Sequence, residues 1–257
     1  MADCDLVIEA IPENRALKRE LFQSMDAIVG ADCILGTNSS SIPPSELWVR
    51  EGRDPLIVGM HFFYPVALKS TVEVMISSLT EPGVIEIVSQ FLVAIKKTPL
   101  ILSERNGFIL NRLLLDVQNE AWHIVERQVA SEEQIDRLVI TRLFPFGLFS
   151  LIDSVGIETT RASVENYTRE YPHVDYYQGF IDRLKALERE GKPAVIAGNI
   201  SSSVPPLSST VSEEILDHLK NTWLSSCKRF TMQSGCQLTE MNDAIKDYFD
   251  VDKGPFE

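Results

Sequence analysis

A serine, a histidine, a glutamate and an asparagine are the residues whose types and spacing could do chemistry in this 257-residue chain. They are Ser40 in "TNSSS", His61 in "GMHFFYP", Glu73 in "TVEVM" and Asn111 in "GFILNR". A carboxylate beside a histidine fixes the imidazole tautomer and stabilises the imidazolium, so the pair can transfer protons near neutral pH. The serine and asparagine add neutral hydrogen-bonding groups that can orient a substrate oxygen. The four residues together therefore predict acid–base chemistry on an oxygen atom.

Each residue taken alone also has a purely structural interpretation. Ser40 precedes "IPPSEL" and could form a turn or cap a helix. His61 could be a packed imidazole, Glu73 a solvated charge on an alternating strand and Asn111 a helix-surface amide. Only the combination favours catalysis.

The first hundred residues alternate between short apolar runs and helical periodicity, which is typical of a parallel sheet covered by helices. Strands are predicted in "DLVIEAI", "CILGTNSS", "LIVGMHFF", "TVEVMIS" and "TPLILS", and helices in "NRALKRELFQSMDAIV" and "VIEIVSQFLVAI". The predicted apolar face of the first helix is Leu17, Leu21, Met25 and Ile28. Ser40 and His61 then fall at the carboxyl ends of strands, where open α/β sheets bind ligands.

After residue 103 the strand pattern stops and the periodicity is helical throughout. Residues 1–103 are therefore predicted to be an α/β domain, and residues 104–200 an all-α domain. Ser131 is predicted to cap the helix in "SEEQIDRLVI", and the Ser/Pro-rich "GNISSSVPPLSS" is predicted to be a linker. Asp136 pairs with Asp243 at an offset of 243 − 136 = 107. Residues 208–257 are therefore predicted to be a partial, degenerate repeat of the helical domain, with chance similarity between amphipathic helices as the alternative.

Composition limits the partners. A net charge of −13 without a basic stripe argues against nucleic acid, which is bound through clustered Lys and Arg. The four cysteines lack metal-ligand spacing, so we expect reduced thiols and no metal. Because no apolar run reaches the ~20 residues of a membrane span and the first residues are acidic, the sequence predicts a cytoplasmic protein without a membrane partner.

The segments "DLVIEAIPEN", "TNSSS", "GMHFFYPV", "NGFILNRLL" and "SEEQID" resemble, in this order and spacing, the L-3-hydroxyacyl-CoA dehydrogenase family. The resemblance runs from about Asp3 to Thr159. It implies a Rossmann-type NAD-binding domain, a helical C-terminal domain and an active site in the cleft between them. It also implies NAD-dependent oxidation of 3-hydroxyacyl-CoA, or the reverse reduction, in fatty-acid or butanoate metabolism.

The resemblance also implies roles for individual residues. His61 matches the catalytic base, Glu73 its carboxylate partner, Ser40 a contact of substrate and nicotinamide, and Asn111 the asparagine that completes the site. The positions that match cofactor contacts are Ala10, Glu13, Lys18, Asn38 and Ser40. The implied substrate is an acyl-CoA thioester, and the implied assembly is a monomer or a homodimer through the helical domain.

Two departures from the family are visible. Tyr64 follows "HFF" where the family usually has an asparagine that touches the cofactor. The sequence contains no G-x-G-x-x-G turn, so it is expected to lack the glycine-rich part of the NAD-binding domain and to bind NAD weakly. The alternatives are a non-catalytic chain acting as a structural or interaction module, and a dehydrogenase of a free hydroxy acid.

Overall fold

The computed structural model describes residues 3–47, 51–104, 109–169, 175–195, 205–234 and 236–256. Most of the predicted linker lies outside these residues. The chain forms two compact units. The first is Met1–Phe108 with Thr231–Tyr248, and the second is Ile109–Phe230 with Phe249–Glu257.

The first unit is an α/β sheet with two flanking helices. Its elements are β1 (Leu6–Glu9), α1 (Arg15–Asp26), β2 (Ile34–Thr37), β3 (Ile57–Phe62), β4 (Thr71–Ile76), α2 (Pro82–Ala94) and β5 (Thr98–Ser103), with 3-10 helices at Pro44–Leu47 and Asp54–Leu56. The unit also contains α9 (Leu238–Phe249) up to Tyr248. The predicted order of strands and helices over this region is confirmed.

The five strands lie in the order β1-β2-β3-β4-β5. All neighbouring pairs are parallel except β3 and β4, which are antiparallel, so the prediction of a parallel sheet does not hold at this pair. A parallel crossover needs a dozen or more residues, and only residues 63–70 connect β3 to β4. The short connection forces the chain to reverse and brings the two strands into direct register.

Two apolar clusters cover the two faces of the sheet. One packs α2 against residues such as Val58, Met60 and Val72, and the other packs α1 against residues such as Leu35 and Ile57. Each fully buried Leu or Val contributes roughly 1.5–3 kcal/mol relative to an exposed one. Because side chains alternate along a strand, residues that follow Met60 and Val72 point away from the α2 cluster.

The buried face of α1 differs from the prediction. Lys18, Phe22 and Met25 are buried, whereas Leu17 and Ile28 are about half exposed, at 48% and 50%. Phe22 is the largest apolar side chain of the helix, and its burial rotates the helix by about one residue relative to the predicted stripe. Lys18 thereby enters the interior.

The second unit consists of helices. They are α3 (Ile109–Glu126), α4 (Glu132–Arg142), α5 (Leu148–Val155), α6 (Ile157–Thr168), α7 (Asp175–Glu190) and α8 (Ser209–Ser234), the last of which continues into the first unit from Thr231. The predicted cap at Ser131 is confirmed as a capping box with Gln134. Among the described residues, no helix has both the length and the hydropathy that a membrane span requires.

One buried carboxylate joins two neighbouring helices of the second unit, α4 and α5. Asp136 on α4 accepts hydrogen bonds from the backbone N–H groups of Phe149 (2.9 Å) and Ser150 (2.8 Å) and from the Ser150 hydroxyl (2.6 Å), at the start of α5. Burial raises the pKa of Asp136 above its ordinary value in spite of these bonds. Its predicted counterpart Asp243 has a 78% exposed side chain, so the two aspartates have different surroundings.

Candidate active site

His61 and Glu73 face each other across β3 and β4. They are register partners in the antiparallel ladder, and His61 Nδ1 lies 3.0 Å from Glu73 Oε2. Both are buried, with 7% and 0% of their surface exposed. Strand alternation places both on the face of the sheet opposite the α2 cluster.

This pairing fixes the chemistry of the imidazole. With Nδ1–H donating to the Glu73 carboxylate, the basic lone pair lies on Nε2. When Nε2 takes a proton, the imidazolium is stabilised by the adjacent carboxylate. The Phe63 ring packs edge-on against the imidazole at a centroid distance of 4.5 Å, which limits the orientations of His61. The pair can therefore act as a general base or a general acid.

The serine loop, residues 38–41, follows the carboxyl end of β2 and contains Ser40. Glu13 organises this loop, because its Oε1 accepts hydrogen bonds from the Ser39 hydroxyl (2.6 Å), the Ser41 N–H (2.9 Å) and the Ser41 hydroxyl (2.6 Å). Ser40 is half-buried between these two anchored residues. Its backbone position is therefore set by Glu13.

Asn38 joins the serine loop to β3. Its side-chain oxygen accepts the backbone N–H of Phe62 at 2.9 Å, one residue after His61. This bond satisfies a backbone donor at the end of β3 and holds the loop beside the strand that carries the histidine. The structure thus joins the predicted residues Asn38 and Glu13, and the loop with Ser40, to the His61–Glu73 hairpin.

Lys18 lies in a buried polar cluster that sequence reasoning missed. Its ammonium is 2.9 Å from each carboxylate oxygen of Glu9 and 3.0 Å from the Ile11 carbonyl oxygen. Glu9 also accepts hydrogen bonds from the Thr37 hydroxyl and the Ile11 N–H. A glutamate at the end of an apolar strand, nine residues before a lysine, was the available signal.

The residues predicted to contact the cofactor differ in their exposure. Ala10 is exposed, Asn38 and Glu13 are half-buried, and all three follow the carboxyl ends of β1 and β2, where nucleotides bind to such sheets. The second Glu13 oxygen lies 3.7 Å from Lys18. Lys18 differs from these three residues, because its side chain is only 1% exposed and its ammonium contacts three acceptors of the chain.

Asn111 belongs to the helical unit. It lies half-buried in the first turn of α3, and its amide nitrogen donates to the Tyr167 hydroxyl at 3.1 Å. Tyr167 itself is buried. This bond orients the Asn111 amide within the second unit.

The fold is that of a Rossmann-type α/β protein with a helical second unit, and its sheet carries a buried histidine–glutamate pair. The chain belongs to the 3-hydroxyacyl-CoA dehydrogenase family. Residues 1–105 match the profile described as "3-hydroxyacyl-CoA dehydrogenase, NAD binding domain", and residues 107–195 match the profile of the C-terminal domain. The first match confirms NAD as the predicted cofactor.

Individual relatives agree with this family. A probable 3-hydroxybutyryl-CoA dehydrogenase of Deinococcus radiodurans is 39% identical over 165 residues, covering 64% of this chain and 59% of the relative. The mitochondrial hydroxyacyl-coenzyme A dehydrogenase of Mus musculus is 35% identical over 191 residues, covering 73% and 61%. The chain thus spans about three fifths of the length of the curated relatives it matches.

A solved structure supports the fold over almost the whole chain. The 3-hydroxybutyryl-CoA dehydrogenase of Escherichia coli superposes with a TM-score of 0.78 over 99% of this chain and 74% of that protein. Sequence identity is 16%, so the likeness concerns the fold alone. The predicted fold class, a Rossmann-type sheet followed by helices, is confirmed.

Proposed function

We propose that this chain carries the acid–base site of an NAD-dependent L-3-hydroxyacyl-CoA dehydrogenase, which interconverts 3-hydroxyacyl-CoA and 3-oxoacyl-CoA. The supporting observation is the buried hydrogen bond between His61 and Glu73, at the sheet edge where the serine loop also lies. Family membership supports the substrate class, an acyl-CoA thioester, and a setting in fatty-acid or butanoate metabolism, and the cytoplasmic location stays a prediction from the sequence.

The geometry of the His61–Glu73 pair supports a proposed proton step. In the oxidation, His61 Nε2 removes the proton of the 3-hydroxyl group, and Glu73 stabilises the resulting imidazolium. In the reduction, the imidazolium returns that proton to the 3-oxo oxygen. When bound, the cofactor would take up the hydride of that carbon as NAD in the oxidation and return it as NADH in the reduction. Ser40 is proposed to hold the substrate oxygen by a hydrogen bond, and Asn111 keeps the role that the family resemblance implies for it.

Ala10, Glu13 and Asn38 are proposed to contact the cofactor. Lys18 is proposed not to touch the cofactor itself but to neutralise the carboxylates of Glu9 and Glu13. Because the sequence contains no G-x-G-x-x-G turn to cradle a pyrophosphate, we expect weak NAD binding by this chain. Calorimetric titration with NAD measures this directly, and tight binding would contradict the expectation.

Turnover tests the proposal. We expect the purified protein to consume NADH with acetoacetyl-CoA, and His61→Gln and Glu73→Gln to lower kcat by roughly 10²- to 10⁴-fold. His218→Gln is the matched control, because that histidine is half exposed on α8. Free acetoacetate in place of the thioester distinguishes a hydroxy-acid dehydrogenase. Full activity of His61→Gln, or no turnover at saturating NADH, would refute the proposed role.

A further inference from the structure

The C-terminal end of α9 contacts the start of β4. The carboxylate of Asp247 accepts hydrogen bonds from the backbone N–H groups of Thr71 (2.8 Å) and Ser70 (3.2 Å) and from the Ser70 hydroxyl (2.9 Å). In addition, the Lys69 ammonium donates to the Asp247 carbonyl oxygen at 2.8 Å. One residue of α9 therefore holds three successive residues of the connection that leads into β4.

The next residue of α9 contacts the other side of the same connection. The ring of Tyr248 lies 4.5 Å from the ring of Phe63, centroid to centroid, at an interplanar angle of 49°. Phe63 is buried and in turn packs edge-on against His61, again at 4.5 Å. Two successive ring contacts, one tilted and one edge-on, thus join α9 to the imidazole.

These two contacts lie at matching places on the hairpin. Thr71 precedes Glu73 by two residues, Phe63 follows His61 by two residues, and Phe62 and Val72 are register partners between them. The helix end therefore fixes both strand ends just beyond the His61–Glu73 pair. We propose that Asp247 and Tyr248 are positioning residues for that pair, an inference that rests on the proposed function of His61 and Glu73.

The connection between β3 and β4 buries little apolar surface in its middle, so contacts from other elements are needed to hold it. Tyr64 is 90% exposed and Leu68 is 77% exposed, so residues 64–68 bury little apolar surface. Lys97, which directly precedes β5, also holds the connection by donating hydrogen bonds to the carbonyl oxygens of Val66 and Lys69. Without Asp247, the two N–H groups of Ser70 and Thr71 lose their acceptor, and the start of β4 is held less firmly.

Paired variants separate a positioning role from a general loss of stability. Asp247→Ala removes both acceptors, whereas Asp247→Asn keeps one oxygen. Tyr248→Ala removes the ring, whereas Tyr248→Phe keeps it. Asp243→Ala is the matched control, because Asp243 lies on the same helix with a 78% exposed side chain. Circular dichroism and urea unfolding establish that each variant is folded.

The first readout does not depend on turnover. The Nδ1–H proton of His61, held by Glu73, is expected as a downfield proton NMR signal that His61→Gln abolishes. We expect Asp247→Ala and Tyr248→Ala to broaden or remove this signal, and Asp247→Asn, Tyr248→Phe and Asp243→Ala to retain it. An unchanged signal in both folded alanine variants would overturn the inference whether or not the protein turns over.

The second readout is kinetic. We expect the two alanine variants to lower kcat on the order of 10- to 100-fold with a smaller change in the KM for NADH, because the base is misplaced while the cofactor contacts on β1 and β2 are untouched. The conservative variants are expected to restore most of the rate. If Asp247→Ala does not fold, Tyr248→Ala decides, and wild-type kcat in that variant would contradict the proposal. Activity that persists in His61→Gln would instead refute the proposed function and leave the NMR result as the test of positioning.

Discussion

Lys18 and Glu9 form a buried ion pair in which the ammonium lies 2.9 Å from both carboxylate oxygens and each side chain is 1% exposed. Removing one partner of a buried pair leaves an uncompensated charge and costs about 3–5 kcal/mol. We expect Lys18→Met to reduce the free energy of unfolding by this amount. Glu9→Gln should cost less, because Glu13 still lies 3.7 Å from the Lys18 ammonium.

Urea unfolding of the two variants measures this difference, and the double variant tests the coupling. The double variant should lose less than the sum of the single losses, since no charge is then left without its partner. Lys185→Met is the exposed control, because its ion pair with Glu165 lies at the surface and is worth at most about 1 kcal/mol. Equal losses in Lys18→Met and Lys185→Met would contradict the interpretation.

Glu13 is expected to govern the order of the serine loop. Glu13→Ala removes the acceptor of three hydrogen bonds, so the Ser41 N–H should exchange with solvent faster, as measured by hydrogen exchange. Glu13→Gln keeps an oxygen and should retain most of the protection. Glu20→Ala, at an exposed position of α1, is the control. Unchanged exchange at Ser41 in Glu13→Ala would show that other contacts hold the loop.

Gly147 is expected to tolerate no side chain. A Cβ at this position would lie 2.4 Å from the Asp136 carboxylate, which is held in place by its bonds to the start of α5. Gly147→Ala should therefore cost about 1–3 kcal/mol of unfolding free energy. Gly83→Ala is the matched control, because a Cβ there meets nothing within 4 Å in the first turn of α2. That variant should be neutral or more stable by up to about 1 kcal/mol; equal melting temperatures for the two variants would refute the prediction.

Asp247 should make stability depend on pH in the acid range. Partial burial raises its pKa, but the hydrogen bonds from Thr71 and Ser70 outweigh burial, so the pKa lies below its ordinary value. A depressed pKa contributes stability that is complete above the unfolded value, about 3.9, and is lost as the pH falls through the folded value. The stability difference between wild type and Asp247→Asn should thus be constant near neutral pH and shrink below about pH 4. A difference that grows on acidification would contradict this assignment.

Strand and helix order followed from the sequence because apolar periodicity is a local property. The direction of β4 did not follow from that periodicity, since parallel and antiparallel strands have the same apolar residues, and only the length of the connection distinguishes them. The buried face of α1 was shifted for a related reason. Its position depends on which neighbour receives Phe22 and Lys18, and both the cluster around Leu35 and the Glu9 carboxylate lie outside the helix, where its periodicity cannot reveal them.

The site residues that lie in family motifs could be predicted from the sequence. His61 and Glu73 were chosen together, and the structure places them 3.0 Å apart. Glu13 and Asn38, which hold the serine loop, were among the predicted residues, but Glu9 and Asp247 were not. The only signal for Glu9 was its place at the end of an apolar strand, and Asp247 lies 176 residues after Thr71, to which it is hydrogen-bonded. Contacts of such sequence separation are set by tertiary packing.

The antiparallel pairing of β3 and β4 allows the number of residues between His61 and Glu73 in the sequence to vary. The two side chains meet because the strands are in register, and the exposed residues 64–68 only close the hairpin. Insertions or deletions in that exposed connection can change the number of intervening residues and leave the pair intact, whereas a slip of one residue in either strand would turn one side chain to the opposite face. A motif written as histidine and glutamate twelve positions apart would therefore overlook proteins with the same pair and a longer hairpin.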